Sequence, residues 1–206
     1  MKRKKILTIS VLLICILVAL NIYYFSKNNN QLEVIQGTFN YISFDNADDL
    51  EKNAQLIVIA STSFKLEDRK PVKNFMPNGT MSSFYTLTDI KVKKILKQPE
   101  NFKLNSEKDM TILEPAVLID DESGKRLLTG ESYAPLIEND EYLLFLHAND
   151  KGTYCIINKY RGKFNLSKDE EAFNPIVPYL ENSKTKYLDM KKQVAKKYSL
   201  KIKEIK

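Results

Sequence analysis

The sequence holds a single histidine, His147, close to Cys155, and together these residue types can form a nucleophile and its base. One histidine excludes zinc sites that need several imidazoles. The intervening residues 149–152, NDKG, are typical of a β-hairpin turn. A two-residue loop pairs Leu146 with Cys155 and places His147 and Cys155 on opposite faces, whereas a three-residue loop reverses this. We take the two-residue loop, which predicts Cys155 in the core, His147 outside and no catalytic dyad.

Acidic side chains form two short runs, and carboxylates are the ligands of hard metal ions. Neither run has the spaced oxygen ligands and the glycine of a calcium loop, so we expect solvated turns, no metal and no cofactor. The chain also has no Gly-rich phosphate loop, no GxSxG and no HExxH. Carboxylates that act as acid and base converge in space and not in sequence, so an enzyme with dispersed carboxylates stays open. The two runs are Asp120, Asp121 and Glu122, and Glu138, Asp140 and Glu141.

Aromatic side chains are a third source of chemistry, because exposed rings bind sugars and peptides. We expect most of them to pack in the core or at hairpin edges. Tyr160, Arg161 and Phe164 flank Gly162, whose flexibility favours exposure, so these three form the predicted binding surface.

The first thirty residues predict where this chemistry takes place. Residues 6–25 carry no charge and follow the basic cluster at 2–5, a pattern typical of a membrane-spanning helix with its basic end in the cytoplasm. Leu17 makes a poor cleavage site at Ala19, and Ile14 before Cys15 argues against a lipoprotein signal. We therefore expect an uncleaved signal anchor in the cell membrane, with a single pass, lipid contact through 6–25 and the rest of the chain extracytoplasmic. Secretion after signal cleavage is the alternative.

The net charge of +6 is the sum over segments whose charges differ in sign. Residues 31–181 hold 18 basic and 24 acidic side chains, whereas 182–206 hold nine lysines against Asp189 and Glu204. A nucleic-acid-binding domain needs basic charge clustered on its folded body, so nucleic acid is excluded as a partner. The lysine-rich end predicts either a helix packed on the acidic body or contact with an anionic membrane or wall polymer, and we favour the packed helix. The Lys/Asn/Ile-rich, disulfide-poor composition is typical of a Gram-positive bacterium.

Hydrophobic periodicity divides the chain into four parts. They are a basic cluster and anchor (1–26), a juxtamembrane spacer (27–45), a β domain (46–181) and a lysine-rich helix (182–206). Within the β domain the pattern predicts a short helix at 45–54 capped by Asn46, a loop at 69–83, and a turn at 121–126. Predicted strands lie at 55–64, 84–97, 109–120, 141–148, 153–158 and 159–166, with an interruption at Pro115. The fold class is therefore mainly β (α+β), a small antiparallel barrel of five to six strands with a C-terminal helix.

The segments AQLIVIASTSF, FYTLTDIKVKKILK, MTILEP, NDEYLLFL and YRGKFNL together resemble a family of uncharacterised membrane- or lipid-anchored bacterial proteins. The resemblance covers roughly residues 46–166 and implies a small extracytoplasmic barrel, similar to the oligonucleotide/oligosaccharide-binding (OB) and netrin-like modules. Gln98 stands where the family has glycine, and Arg161 where it often has glutamine. The netrin-like protease inhibitors use an N-terminal cysteine that residues 31–45 lack. The resemblance implies no catalytic residue.

Three functions follow as hypotheses. The first is a membrane-tethered binding or interaction module for an envelope protein or wall polymer, because an anchor and a barrel are present without a catalytic motif. The second is a cell-envelope hydrolase, which predicts a cleft in which two carboxylates converge. The third is a netrin-like protease inhibitor, which the missing cysteine weakens.

Overall fold

The structure, a computed structural model, describes residues 32–37, 41–104, 107, 109–121, 124–130, 133–167 and 181–200, together with Ile16 and Val18. Apart from those two residues, the predicted span over 6–25 lies outside the described part of the chain. Within the described part, no helix has the length and apolar character needed to cross a membrane. The folded unit begins at Val34.

This unit is mainly β, with two helices. In chain order the elements are β1 (Glu33–Gly37), α1 (Ala47–Asn53), β2 (Leu56–Ser61), β3 (Lys70–Phe75), β4 (Met81–Lys97), β5 (Asp109–Glu114), β6 (Ala116–Asp121), β7 (Gly124–Gly130), β8 (Glu141–Ala148), β9 (Tyr154–Ile156), β10 (Lys163–Asn165) and α2 (Glu181–Lys197).

Five strands close into a barrel. β2 pairs with β4 on one side and with β8 on the other, and β4 pairs with β5, all antiparallel. The short strand β9 closes the ring, because it pairs in parallel with β5 and antiparallel with β8. β10 and β3 extend the sheet beyond β8 and β4, and β1, β7 and β6 form a separate three-stranded sheet. The predicted small barrel of five to six strands is confirmed, but its closing pair, β5 with β9, is parallel, so the prediction of a purely antiparallel barrel is wrong.

The long strand β4 shows how the sequence pattern positions side chains. Ile90 and Val92 are buried while Lys91 and Lys93 are exposed, as their alternation predicts. Pro115 separates β5 from β6, which confirms the predicted interruption.

The main core lies between the barrel and the helices. β2 and β8 are buried on both faces, since one face fills the barrel and the other contacts α1 and α2. The Asn46 side chain accepts the Asp49 N–H at 2.8 Å and caps α1, as predicted. Tyr187, Met190 and Val194 are buried on α2 at spacings of three and four residues, so this lysine-rich helix packs on the body through one apolar face.

A buried ion pair occupies the barrel interior. Arg69 Nη1 lies 2.8 Å from Glu114 Oε2, and both side chains are almost fully buried. Arg69 also donates to the carbonyl oxygens of Phe64 and Leu136. These bonds hold the loop after β2 against the barrel, which leaves Phe64 on the surface with 44% of its area exposed.

Three predicted segments differ from the structure. The loop predicted at 69–83 contains β3, which pairs with β4, and only its tip at Asn78-Gly79 is a turn. Residues 33–37 of the predicted spacer form β1, paired with β7. The strand predicted over 159–166 begins as a 3₁₀ turn at Lys159–Gly162, because Asn158 and Lys159 adopt positive φ angles and reverse the chain.

Candidate functional site

An apolar groove of about 520 Å³ lies on the outer wall of the barrel. This volume is within the range of small-molecule sites, which are typically apolar with a few polar groups. Among the described residues that line it there is no Asp, Glu, Lys or Arg. The lining consists of Tyr41, Ile42, Phe44, Asn53, Ser83, Phe84, Tyr85, Leu113, Pro115, His147, Ala148, Asn149, Cys155, Ile156, Ile157 and Asn158.

Strand pairing brings the floor of the groove together from distant parts of the sequence. The parallel contact of β5 with β9 pairs Leu113 with Cys155, and the antiparallel contact of β8 with β9 pairs Cys155 with His147. Paired residues point to the same face of a sheet, so all three face the groove. The wall opposite is residues 41–44, which Asn158 fixes through hydrogen bonds to the Phe44 backbone N–H and C=O, each 3.0 Å long.

The β8–β9 register corrects the prediction for His147 and Cys155. Ala148 pairs with Tyr154, so the loop has three central residues and places both side chains on one face. Asn149 selects this loop, because its Oδ1 accepts the backbone N–H groups of Lys151 and Thr153, and Gly152 takes the required positive φ of 77°. Cys155 is half-buried at the groove rather than in the core.

Although the side chains of His147 and Cys155 share a face of the sheet, they do not form a catalytic dyad. Cys155 Sγ donates to the His147 carbonyl oxygen at 3.2 Å, while His147 Nδ1 lies 3.2 Å from the carbonyl oxygen of Asn53. Burial raises the pKa of the Cys155 thiol, the opposite of what an activated nucleophile requires.

A second, polar cleft of about 640 Å³ lies at the other end of the same strands. Asp89 and Asp109 both line it, on neighbouring strands. Thr111 Oγ1 donates to Asp89 Oδ1 at 2.5 Å, and Asp109 pairs across the strands with Lys91. Half of the remaining lining carries hydroxyl or amide groups, from Ser61, Ser63 and Asn139, and the other half is apolar, from Phe64, Ile90 and Met110.

The predicted binding surface is buried, so its expected exposure is wrong. Tyr160, Arg161 and Phe164 are 6%, 8% and 1% exposed. Phe164 stacks on Tyr187 of α2 with ring centroids 5.4 Å apart. Arg161 binds Asp45 at 2.9 Å and lowers the pKa of that carboxyl. The chain reverses at Asn158 and Lys159, and Gly162 lies in the following 3₁₀ turn, close to the Ile157 carbonyl oxygen, instead of supplying a mobile bulge.

The acidic runs do not converge with other metal ligands. Asp121 forms an ion pair with Arg126 in the β6–β7 hairpin, and Asp140 accepts from the Asn165 amide at 2.9 Å. Across the described residues, no group of three or more His, Cys, Asp or Glu side chains is placed to hold a metal ion.

Sequence reasoning singled out His147 and Cys155 but missed most of the other residues that line the groove and the polar cleft. Tyr85 and Asp89 lie on the outer face of β4, and their alternation with Ile90 and Val92 was the available signal. The contributions of Leu113 and residues 41–44 depend on pairing between distant segments, for which no local signal exists.

No protein-family model matches this chain, and no curated protein matches its sequence.

Proposed function

We propose that this chain is a membrane-tethered extracytoplasmic binding module whose ligand site is the apolar groove. The tether is the uncharged stretch at 6–25, and the ligand is an uncharged molecule or segment with an apolar body. The observation that carries the proposal is the groove itself, which is of ligand size and whose described lining residues carry no charge.

The strand order supports an OB-like interpretation of the barrel. β8, β2, β4 and β5 lie in the spatial order fourth, first, second and third, which is a Greek key, and β9 closes it. Five-stranded Greek-key barrels of this kind bind elongated ligands on the face of their second and third strands. In this chain those strands are β4 and β5, and both contribute to the groove.

The lining determines the class of ligand. Leu113, Ile156 and the rings of Phe84 and Tyr85 offer apolar contact, whereas a charged ligand group would lose its hydration without an ionic partner among the described lining residues. The nearest charge shown is Lys159, whose Nζ lies 5.3 Å from the centroid of the Tyr41 ring. Asn and Ser side chains at the margin supply hydrogen bonds to a polar edge.

A tryptophan reporter tests this proposal, because the chain contains no tryptophan. Phe84→Trp places the reporter in the groove of the full chain, reconstituted in lipid nanodiscs. We expect a brominated long-chain alcohol to quench its fluorescence saturably, since heavy-atom quenching requires close contact.

Phe102→Trp is the matched control. Phe102 is also half-buried but packs edge-on against Tyr154, outside the groove lining. It should show only the linear quenching caused by alcohol dissolved in the disc. Equal linear quenching of both reporters would refute the groove as a ligand site.

The polar cleft favours one alternative, a cell-envelope hydrolase. Asp89 and Asp109 are diagonal neighbours across β4 and β5, a relation that separates Cα atoms by roughly 7–8 Å. The two carboxyl groups of inverting glycosidases lie about 6.5–9.5 Å apart. A hydrolase of this kind should release reducing ends from envelope polysaccharide and should lose that activity in both Asp89→Asn and Asp109→Asn.

A further inference from the structure

We infer that the apolar groove and the polar cleft are two ends of one binding furrow, which takes a single amphiphile with a hydrocarbon tail and an uncharged sugar-like head. This inference rests on the proposed function, because the groove must bind a ligand for the tail to have a site.

The facing residue pairs on the outer surface of β4 and β5 change from apolar to polar to charged along the strands. Leu87 faces Leu113 beside the groove, Asp89 faces the hydroxyl-bearing Thr111, and Lys91 then faces Asp109. Each step advances two residues on the same face. From Tyr85 in the groove to Lys91 in the cleft, six residues at ~3.3 Å each give a length of ~20 Å.

A hollow of about 350 Å³ lies between the two ends, and Asp68, Arg69 and Lys70 form part of its lining. This hollow shares Phe64, Asp89 and Thr111 with the polar cleft. It also contains Leu87, the strand partner of the groove residue Leu113. A molecule lying along the facing pairs of β4 and β5 would pass from the groove over Leu87 and Leu113 to the hollow and the polar cleft.

The polar end favours a neutral polyhydroxyl head over an ionic one. Asp109 faces Lys91, and Asp89 accepts the Thr111 hydroxyl, so the cleft presents charges of both signs beside hydroxyl groups rather than a patch of one sign for an ionic head. Ser61, Ser63 and Asn139 add neutral donors and acceptors. The exposed Phe64 ring supplies the apolar surface on which a sugar ring packs.

Alkylation of Cys155 measures occupancy of the groove. The full chain carrying Cys15→Ser retains Cys155 as its single thiol, and N-ethylmaleimide modification in nanodiscs is followed by mass spectrometry. The probes are decyl glucoside, decanol, glucose and decyltrimethylammonium, each at submicellar concentration. We expect decyl glucoside to protect Cys155 at roughly tenfold lower concentration than decanol, and glucose to give no protection.

Asp89→Asn should raise the half-protecting concentration of decyl glucoside about tenfold, because a hydrogen bond to a charged acceptor is lost, and should leave that of decanol unchanged. Thr111→Val should act in the same direction. The matched control, Asp189→Asn on the exposed side of α2, should change neither value.

The outcomes separate the two proposals. Equal protection by decyl glucoside and decanol would overturn the furrow and leave the groove as a ligand site. Protection by decyltrimethylammonium at or below the concentration needed for the glucoside would overturn the sugar-like head. No protection by any decyl compound would overturn both the furrow and the proposed function.

Discussion

Replacing Glu114 with glutamine should destabilise the barrel more than any neutral substitution on its surface. Glu114 is fully buried, and its Oε2 accepts from Arg69 and from the Thr88 hydroxyl at 2.8 and 2.5 Å. Its Oε1 accepts from the Tyr133 hydroxyl at 2.7 Å and the Leu136 N–H at 2.8 Å. A glutamine amide turns its NH₂ toward one of these donor pairs and leaves the Arg69 charge uncompensated.

The expected loss of unfolding free energy is ~3–5 kcal/mol, the usual cost of removing one partner of a buried ion pair. Domains have a total stability of roughly 5–15 kcal/mol, so this is a large fraction. At about 2–4 °C per kcal/mol for a domain of this size, a loss of ~4 kcal/mol lowers Tm by about 8–16 °C.

The assay is guanidinium unfolding followed by circular dichroism, with Glu141→Gln as the matched control. Glu141 pairs with Lys93 at 2.5 Å, but the lysine side chain is 72% exposed, so solvent screening limits the loss to about 1 kcal/mol. The double variant Arg69→Met, Glu114→Leu should lose at least ~1 kcal/mol less than the sum of its single changes. Equal losses in Glu114→Gln and Glu141→Gln would refute the reasoning.

Three further predictions follow from burial and backbone geometry. Burial lowers the pKa of Lys163 to about 8, so between about pH 8 and 10 the unfolded state binds more protons at this residue. Lys163 therefore adds up to about 1.4 kcal/mol of unfolding free energy per pH unit in this range, which is measured as the difference between the unchanged chain and Lys163→Met in pH-dependent denaturation, because both keep the opposite contribution of Cys155. Phe164→Ala should cost ~3–5 kcal/mol in chemical unfolding and leave quenching of the groove reporter intact, because this ring packs on a helix and does not line the groove. Gly162→Ala should lower Tm much more than Gly79→Ala, because a Cβ at 162 overlaps the Ile157 carbonyl oxygen whereas one at 79 meets open space and only an unfavourable φ.

The barrel was predictable because its signals are local. Alternating polarity identifies β4, continuous apolar runs identify β2 and β8, and Pro115 interrupts the chain where β5 ends. Each pattern depends on residues within one strand, so a single sequence carries it. The strand β3 was missed because most of its side chains are exposed and two of its residues are lysines, which gives it the composition of a loop although its backbone pairs with β4.

The hairpin register shows how a small local choice changes a functional conclusion. Asn149 and Gly152 are compatible with a loop of two or of three residues. The two loop lengths place every side chain of β9 on opposite faces of the sheet. The side-chain bonds from Asn149 to both Lys151 and Thr153 stabilise the longer loop. Because Asn149 stabilises the three-residue loop, Cys155 lies at the floor of the groove and not in the predicted core.

The furrow itself could not be predicted, because it depends on pairing between segments far apart in the chain. Leu113 and Cys155 meet only through the parallel contact that closes the barrel, and residues 41–44 reach the groove only because Asn158 binds the Phe44 backbone. The same closure explains why the predicted surface at 160–164 was wrong. Once β9 pairs with β5, the following chain must reverse at Asn158 to return alongside β8, and this reversal buries Tyr160 and Phe164 against α2. The pairing of β9 with β5 therefore has two consequences: it forms the groove, and it leads to the burial of Tyr160 and Phe164.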